Sequence, residues 1–425
     1  MNGLVQIVNL SPFPREQGTT RAYHAMIKPL GAICNLDCAY CYYLHKEQLL
    51  GSNSKFRISD EILEAHIQQY IEGQDRDEVV FSWQGGEPTL LGLAFFQKVV
   101  EIEQKYKKPG QRIENDLQTN GTLLNDEWCT FLKQRGFLVG LSIDGPKALH
   151  DQYRVSKDGR PTFDKVFAAA KMLRHHHVPF NAMCVINRVN ATRPLDVYRF
   201  LKNEIQAREI QFIPCVQSRA FKTSAPEHWD PDTLPLQDSP AAHPWHPLSI
   251  VTDWSVDPDD WGYFLCKVWD DWYRRDIGKV FINQFENAVA TWMGKESQMC
   301  VYHEFCGKAV ALEHDGSLYS CDHYVYPEYK LGNINETSSS RMVFSERQRQ
   351  FGLNKFHSLP QQCRQCNYLF ACNGECPKNR FIRARDGEPG LNYLCSGLYK
   401  FWEHIDKDVQ HICERIARGE ALKER

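Results

Sequence analysis

The chain has 425 residues and a formal net charge of −3. That length allows roughly two or three domains of about 150 residues each, and the near-balanced charge leaves no basic footprint for nucleic acid. No run reaches the roughly 18 apolar residues of a membrane helix, and "MNGLVQIVNLSPFPREQ" has neither a basic n-region nor an apolar h-region, so a soluble, cytoplasmic protein is expected.

In chain order, "AMIKPL" leads into a cysteine loop, and "DEILEAHIQQYIEG" reads as a helix with Ser59 as its N-cap. "EVVFSWQGGEP" is a strand that enters a Gly-rich turn, and "LAFFQKVVEIEQKY" is an amphipathic helix. Strand and helix then alternate through "IENDLQTNGT", "DEWCTFLKQRG", "FLVGLSIDGP", "FDKVFAAAKMLRHHH", "VPFNAMCVINR", "PLDVYRFLKNE" and "REIQFIPCV". This rhythm predicts a parallel α/β sheet or barrel over residues 22–258, with its special residues where strands end. His175, His176 and His177 are consecutive and read as a solvated helix end.

Residues 217–250 are rich in Pro, His and Asp and lack a period, so they read as a long loop or linker. Residues 259–295 look helical. The cysteine-rich part runs from 296 to 400, with a hairpin in "AVALEHDGSLYSCDHYV" turning on Asp-Gly. A polar final helix is expected after 397, filling 401–425.

Sixteen cysteines are the anomaly. Cys34, Cys38 and Cys41 fall within eight residues, and eight more lie between 300 and 395. In a compartment that keeps thiols reduced, such clusters mean metal or catalysis more often than disulfides. Cys129, Cys184, Cys215, Cys266 and Cys413 are scattered and read as buried free thiols. Three thiolates in C-x3-C-x2-C spacing suit a four-iron cluster with one iron left open, since a closed cluster or structural zinc site takes four protein ligands. A zinc site here would need a fourth ligand, for which His45 is available. The eight later cysteines make two complete sets of four, which suits two closed 4Fe–4S clusters or a pair of zinc sites.

The triplet, with Tyr40 before its last cysteine, resembles the radical S-adenosylmethionine (SAM) superfamily. A partial (β/α)6 barrel of the TIM type is the fold that resemblance implies. In that family "GGEP", residues 85–88, holds the methionine end of SAM. Glycines let a backbone approach a ligand, and a backbone carbonyl or Glu87 can accept from an ammonium. The resemblance further implies Tyr40, Gly86, Ser142, Arg154 and Val216 as SAM contacts, with Arg154 pairing the carboxylate and the Val216 backbone meeting adenine.

The C-terminal cysteines resemble the SPASM extension of some radical SAM enzymes. That pattern implies Cys300, Cys306, Cys321 and Cys376 on an inner auxiliary cluster, and Cys363, Cys366, Cys372 and Cys395 on an outer one. "YHAMIKPLGAICNLDCAYCYYL", "WQGGEPTLLGL", "QTNGTLL", "QFIPC", "CDHYVYPEYKLGNI" and "LNYLC" together resemble the anaerobic sulfatase-maturating enzymes over about residues 23–400. The resemblance implies three 4Fe–4S clusters, SAM, a Cys- or Ser-bearing sulfatase segment as substrate, and an external reductant such as flavodoxin or ferredoxin. The product would be Cα-formylglycine. The radical would take a hydrogen from the target Cβ, a base its thiol or hydroxyl proton, and the auxiliary clusters the remaining electron. The family's base position falls on Asp322, and Tyr43 and His323 are further candidates for substrate contact. Two rivals remain at this point: a SPASM peptide maturase that makes a thioether or other crosslink, and a non-catalytic electron carrier or zinc-binding protein.

Overall fold

The computed structural model describes residues 22–50 and 57–420, without the side chains of Glu47 and Gln48. The N-terminal stretch read for a leader and the last five residues of the expected final helix lie outside it. Among the described residues no helix is long and apolar enough to cross a membrane.

Six parallel strands form the barrel wall: β1 (His24–Lys28), β2 (Glu78–Trp83), β3 (Arg112–Thr119), β4 (Leu138–Ser142), β5 (Phe180–Ile186) and β6 (Glu209–Pro214). Helices α1 (Asp60–Gly73), α2 (Leu93–Tyr106), α3 (Asp126–Arg135), α4 (Phe163–His175) and α5 (Pro194–Asn203) follow β1 to β5 in turn. The caps explain the boundaries. Ser59 accepts from the Ile62 N–H at the start of α1, and Gly136 takes a left-handed conformation at the end of α3. The triple histidine sits at the end of α4, with His175 and His177 exposed, as its sequence suggested.

The stretch read as helical from 259 to 295 is interrupted. It contains α6 (Pro258–Arg275), the two-residue strand β7 (Phe281–Ile282) and α7 (Asn283–Trp292), and β7 pairs in parallel with β6. Gly278 takes a positive φ of 75° just before β7, which ends helical continuation.

The cysteine-rich region continues the barrel sheet. β8 (Ala309–Glu313) pairs in parallel with β1 and sets Lys28 opposite Glu313. The predicted Asp315-Gly316 turn joins β8 to the antiparallel β9 (Ser317–Tyr319), and β10 (Lys330–Asn333) closes the edge. The sheet order is β10-β9-β8-β1-β2-β3-β4-β5-β6-β7. The division expected near 296 therefore has one sheet running across it.

After α8 (Glu346–His357), the chain ends its described part in α9 (Cys395–Ala417). This helix begins earlier than the sequence suggests and is amphipathic, not polar. Leu398, Phe401, Trp402, Ile405, Val409 and Ile412 are buried. Interleaved charges hid that 3.6-residue stripe. Gly397 lets it press on α6, since a Cβ there would meet the Pro258 carbonyl oxygen at 1.8 Å.

The 217–250 stretch has no strand or α-helix, only two short 3-10 turns. It is clamped, not free. Tyr326 Oη donates to the Phe221 carbonyl at 2.6 Å. The Gln237 N–H donates to the Arg383 carbonyl and the Arg383 N–H to the Pro235 carbonyl, each at 2.9 Å.

Candidate active site

The sequence-predicted residues converge on one cavity of about 290 Å³ at the C-terminal ends of the barrel strands. Cys34, Cys38 and Cys41 line it, together with Tyr40, Gly86, Ser142, Arg154 and Val216. The three thiols lie in a single loop. Its turns are local: the Cys41 N–H donates to the Cys38 carbonyl at 2.9 Å, and the Leu36 N–H to Cys34 Sγ at 3.4 Å. Burial raises each thiol's pKa, to about 11 at Cys34 and about 12 at Cys38, and repulsion from the neighbouring thiols adds to it at those two. Such a trio is costly to ionise without a cationic group to face. His45, the fourth ligand a zinc site would need, packs edge-on against Phe221 with ring centres 4.8 Å apart.

The "GGEP" turn lines the cavity and also braces the cysteine loop. Gly86 is required by the cysteine loop itself, because a Cβ there would lie 1.7 Å from the Ile33 carbonyl oxygen. The Gly86 N–H donates to the Gly31 carbonyl and the Glu87 N–H to that of Ile33, each at 2.8 Å. Glu87 is already engaged within the protein. Its Oε1 accepts from Thr89 and Thr119, and its Oε2 from the Asn120 N–H at 2.7 Å. The Asn120 amide in turn reaches Asn35 Oδ1 at 2.8 Å and Cys34 Sγ at 3.8 Å. Glu87 thus positions the first cysteine through Asn120.

Arg154 is already paired. Its Nε lies 3.0 Å from Asp144 Oδ2, and the Tyr40 hydroxyl donates to the same oxygen. Burial opposes the guanidinium charge and Asp144 more than offsets it, so Arg154 stays cationic. Asp144 is the residue that reading "SIDG" as a strand end missed. Ser142 Oγ accepts from Gln118 at 2.9 Å, and the Val216 carbonyl, expected to meet adenine, accepts from Lys378 Nζ at 3.1 Å.

Asp322 is 6 % exposed and lies on a short 3-10 turn immediately after Cys321. Its Oδ1 pairs with Lys28 Nζ and its Oδ2 accepts from the Tyr42 hydroxyl. Burial by itself would raise this carboxyl, but Lys28 overrides it and holds the pKa below the usual value. The β1–β8 pairing makes this possible, since it carries Lys28 at the end of β1 to the turn after β9. Lys28 and Tyr42 escaped the sequence reading. The one available signal was a lone charge closing an apolar strand in "AMIK".

Tyr43 turns away from Asp322. Its hydroxyl donates to Glu313, and Lys28 Nζ lies 4.5 Å from its ring centre. Tyr42 is the tyrosine that reaches the aspartate. His323 packs on Tyr42 with ring centres 5.0 Å apart, and burial lowers its pKa to about 3.

The C-terminal thiols fall into two neighbourhoods. Beyond the rise from burial, Cys306 raises the pKa of Cys300, Cys300 and Cys376 that of Cys321, and Cys300 and Cys306 that of Cys376. In the second neighbourhood Cys366 raises that of Cys363, and Cys363 and Cys366 raise those of Cys372 and Cys395. Cys376 crosses back in space and lines the 290 Å³ cavity. The second group lines an open cavity of about 580 Å³ beside exposed Tyr399. Both groups offer four thiols with no vacancy, and the first loop offers three. Of the scattered cysteines, Cys129 and Cys184 are buried as expected and Cys266 and Cys413 only half-buried. Cys215 is buried too, yet it lines the main cavity.

Residues 29–201 match the radical SAM superfamily, and residues 300–367 match the SPASM iron–sulfur cluster-binding domain. A serine-type anaerobic sulfatase-maturating enzyme of Bacteroides thetaiotaomicron is 47 % identical over 398 residues, covering 94 % of this chain and 93 % of that one. A cysteine-type anaerobic sulfatase-maturating enzyme of Clostridium perfringens is 31 % identical, covering 92 % and 98 %. Among solved structures, native anSMEcpe with bound AdoMet and a Cp18Cys peptide superposes with a TM-score of 0.77 at 31 % identity, over 92 % of this chain and 99 % of that one. Streptococcus suis SuiB bound to its precursor peptide SuiA is alike in fold alone, with a TM-score of 0.58 at 14 % identity over 88 % and 76 % of the two chains.

Proposed function

The chain belongs to the anaerobic sulfatase-maturating enzymes, and from that premise we propose how its own residues carry the reaction. The activity is oxidation of a cysteine or serine side chain on a sulfatase to Cα-formylglycine, with SAM and 4Fe–4S clusters as cofactors. When bound, the cluster and SAM supply a 5′-deoxyadenosyl radical that takes one hydrogen from the target Cβ. Cys34, Cys38 and Cys41 would hold that cluster and leave one iron for SAM. Tyr40, Gly86, Ser142, Arg154 and Val216 wall the chamber in which SAM would lie.

Asp322 is the base in this reading, and it takes the proton of the target thiol or hydroxyl. One observation carries the assignment: Asp322 touches Lys28 of β1 and Tyr42 of the three-thiol loop, and it directly follows Cys321 of the inner set. The proton acceptor therefore stands between the place where the radical forms and the thiols of the inner auxiliary cluster. Cys300, Cys306, Cys321 and Cys376 would hold that cluster, and Cys363, Cys366, Cys372 and Cys395 the outer one. The open cavity beside the outer set supports exchange there with a one-electron protein such as flavodoxin or ferredoxin.

The test is mass spectrometry of a sulfatase-derived peptide after incubation with reductant and SAM. An aldehyde in place of the thiol or hydroxyl is expected, and a crosslinked peptide would overturn the reading in favour of a thioether-forming maturase. The reconstituted protein should bind about twelve irons, as three four-iron clusters require. The 47 % identity with a serine-type relative, against 31 % with a cysteine-type one, supports serine as the preferred target. Paired Ser and Cys peptides test that preference, and faster turnover of the Cys peptide would reverse it.

A further inference from the structure

Beside the reaction cavity lies a smaller one of about 30 Å³. The two share Tyr42, Val216, Gln217, His323 and Lys378. The small cavity is completed by Lys46 and Tyr326 and by Ser218, Phe221, Ser224 and Trp229 of the 217–250 stretch, which the reaction leaves without a role. Lys46 is 1 % exposed, and its Nζ has no hydrogen-bond partner. It lies 3.2 Å from the centre of the Tyr326 ring. A buried ammonium with unmet donors is costly unless something enters to accept from it.

The other cation on the wall is better placed. Lys378 Nζ donates to the Val216 carbonyl and to Asn379 Oδ1 at 3.0 Å, and a third N–H remains by its chemistry. The carboxylates that act on Lys46 do so from a distance. Asp322 is already held by Lys28 and Tyr42, and Glu328 is exposed. Burial lowers the Lys46 pKa to about 7 despite both. The space suits one or two particles of water size, and the wall offers two ammonium groups and two serine hydroxyls.

We propose that this side cavity binds one small monovalent anion, held by Lys46 together with Lys378, Ser218 and Ser224. Two sources fit that chemistry. One is halide from solvent. The other is hydrosulfide from hydrolysis of a thioaldehyde, in which water's oxygen replaces sulfur on carbon, a C=S bond gives way to C=O, and hydrogen sulfide leaves and loses a proton. No electrons are gained or lost in that step. The hydrosulfide source rests on the formylglycine reading with a Cys target, since a Ser target releases no sulfide, and the anion site itself does not.

Crystals of the cluster-loaded enzyme soaked in bromide provide the test. An anomalous peak beside Lys46 is expected in the wild type and none in Lys46→Met. In solution, bromide should raise the melting temperature of the wild type by mass action and leave that of Lys46→Met unchanged. Lys46→Gln serves the same purpose if the Met variant does not fold. Water alone in the cavity at high bromide, or an equal bromide response in the variants, overturns the proposal. Added sodium hydrosulfide separates the sources: displacement of the bromide peak supports hydrosulfide as the ligand, and its persistence overturns that source while supporting halide. Bromide binding in an enzyme that makes no aldehyde would keep the anion site and sink the formylglycine reading. The reverse result would sink the anion site alone.

Discussion

Around Cys34, Cys38 and Cys41 the chain is tied down by its backbone. Gly31 and Ile33 fold the loop back on the end of β1, Gly86 and Glu87 donate into it from the next strand, and Asp37 and Ala39 donate to the Val155 and Tyr153 carbonyls. Around the C-terminal thiols, side chains perform that task. Lys355 Nζ donates to the Cys300 and Val301 carbonyls at 2.8 and 2.9 Å. Arg380 donates to the carbonyls of Gly374, Lys355, Asn373 and Glu375 and to Ser358 Oγ. Gln348 bridges the Gly307 and Ser320 carbonyls. Buried carbonyls must find donors. Beside a sheet the ladder and its turns supply them, whereas in a region of short helices and loops a few long polar side chains must. Eight neighbouring residues can therefore build the open-site loop, while the inner set must gather thiols spread from Cys300 to Cys376.

The largest effect should come where the two regions meet. Asp322→Asn keeps the shape and removes the proton acceptor. SAM cleavage should persist, while aldehyde formation falls by about 10²–10⁴-fold, the usual size of a general-base contribution. Unchanged product yield would remove Asp322 as the base. Lys28→Met attacks the same junction by another route. It leaves a buried carboxylate with Tyr42 alone, and breaking a buried pair in that way costs about 3–5 kcal/mol, readable as a lower melting temperature.

Arg380→Met isolates the side-chain-clamped region. It strands several buried carbonyls at once, each worth about 1–3 kcal/mol when left unsatisfied. The variant should lose auxiliary-cluster iron and peptide oxidation yet still release 5′-deoxyadenosine. Loss of SAM cleavage as well would show that the two regions do not stand independently. Gly86→Ala is the counterpart in the backbone-tied loop. Its Cβ would strike the Ile33 carbonyl oxygen, and overpacking of this kind costs about 1–3 kcal/mol. Here SAM cleavage should fail while the auxiliary iron remains, which electron paramagnetic resonance of the reduced protein can resolve.

This contrast also accounts for what was legible in the sequence. The three-thiol loop, the barrel rhythm, the Ser59 cap and the Asp-Gly hairpin are local, and each carries its signal within a few residues. The grouping of eight thiols followed from family spacing, since Cys376 joins its set across intervening cysteines of the other. Lys28, Tyr42 and Asp144 were invisible because their partners come from strand pairing and loop packing distant in sequence. The structural partners of Glu87 were hidden for a related reason, since β3 and its turn deliver Thr119 and Asn120 to it. The final helix was misread as polar because its charges outnumber its apolar stripe.

The smallest effect concerns stability and tests the barrel wall alone. Glu103 on α2 is buried, with Oε2 accepting from Asn115 Nδ2 at 3.0 Å and Oε1 unpartnered. Asn115 in turn accepts from the Trp83 indole at 2.7 Å. Burial raises the Glu103 pKa from 4.5 to about 8, and the bond from Asn115 offsets only part of that. The folded protein therefore holds a proton here that the unfolded chain releases above its lower pKa. Stability from this group is full below about pH 4.5 and is lost as pH rises toward about 8. Glu103→Gln keeps an acceptor for Asn115 and cannot ionise. Between about pH 6 and about pH 8 the variant should gain on the order of 2 kcal/mol over the wild type, at about 1.4 kcal/mol per unit of pKa shift. Urea unfolding at the two pH values measures it. Arg380, Lys355 and Gln348, the clamps of the other region, bond to carbonyls there and not to Glu103, so auxiliary iron content should not follow the same pH dependence. Parallel loss of that iron and of stability in the wild type, both removed by Glu103→Gln, would mean that the barrel wall and the cluster region unfold as one unit.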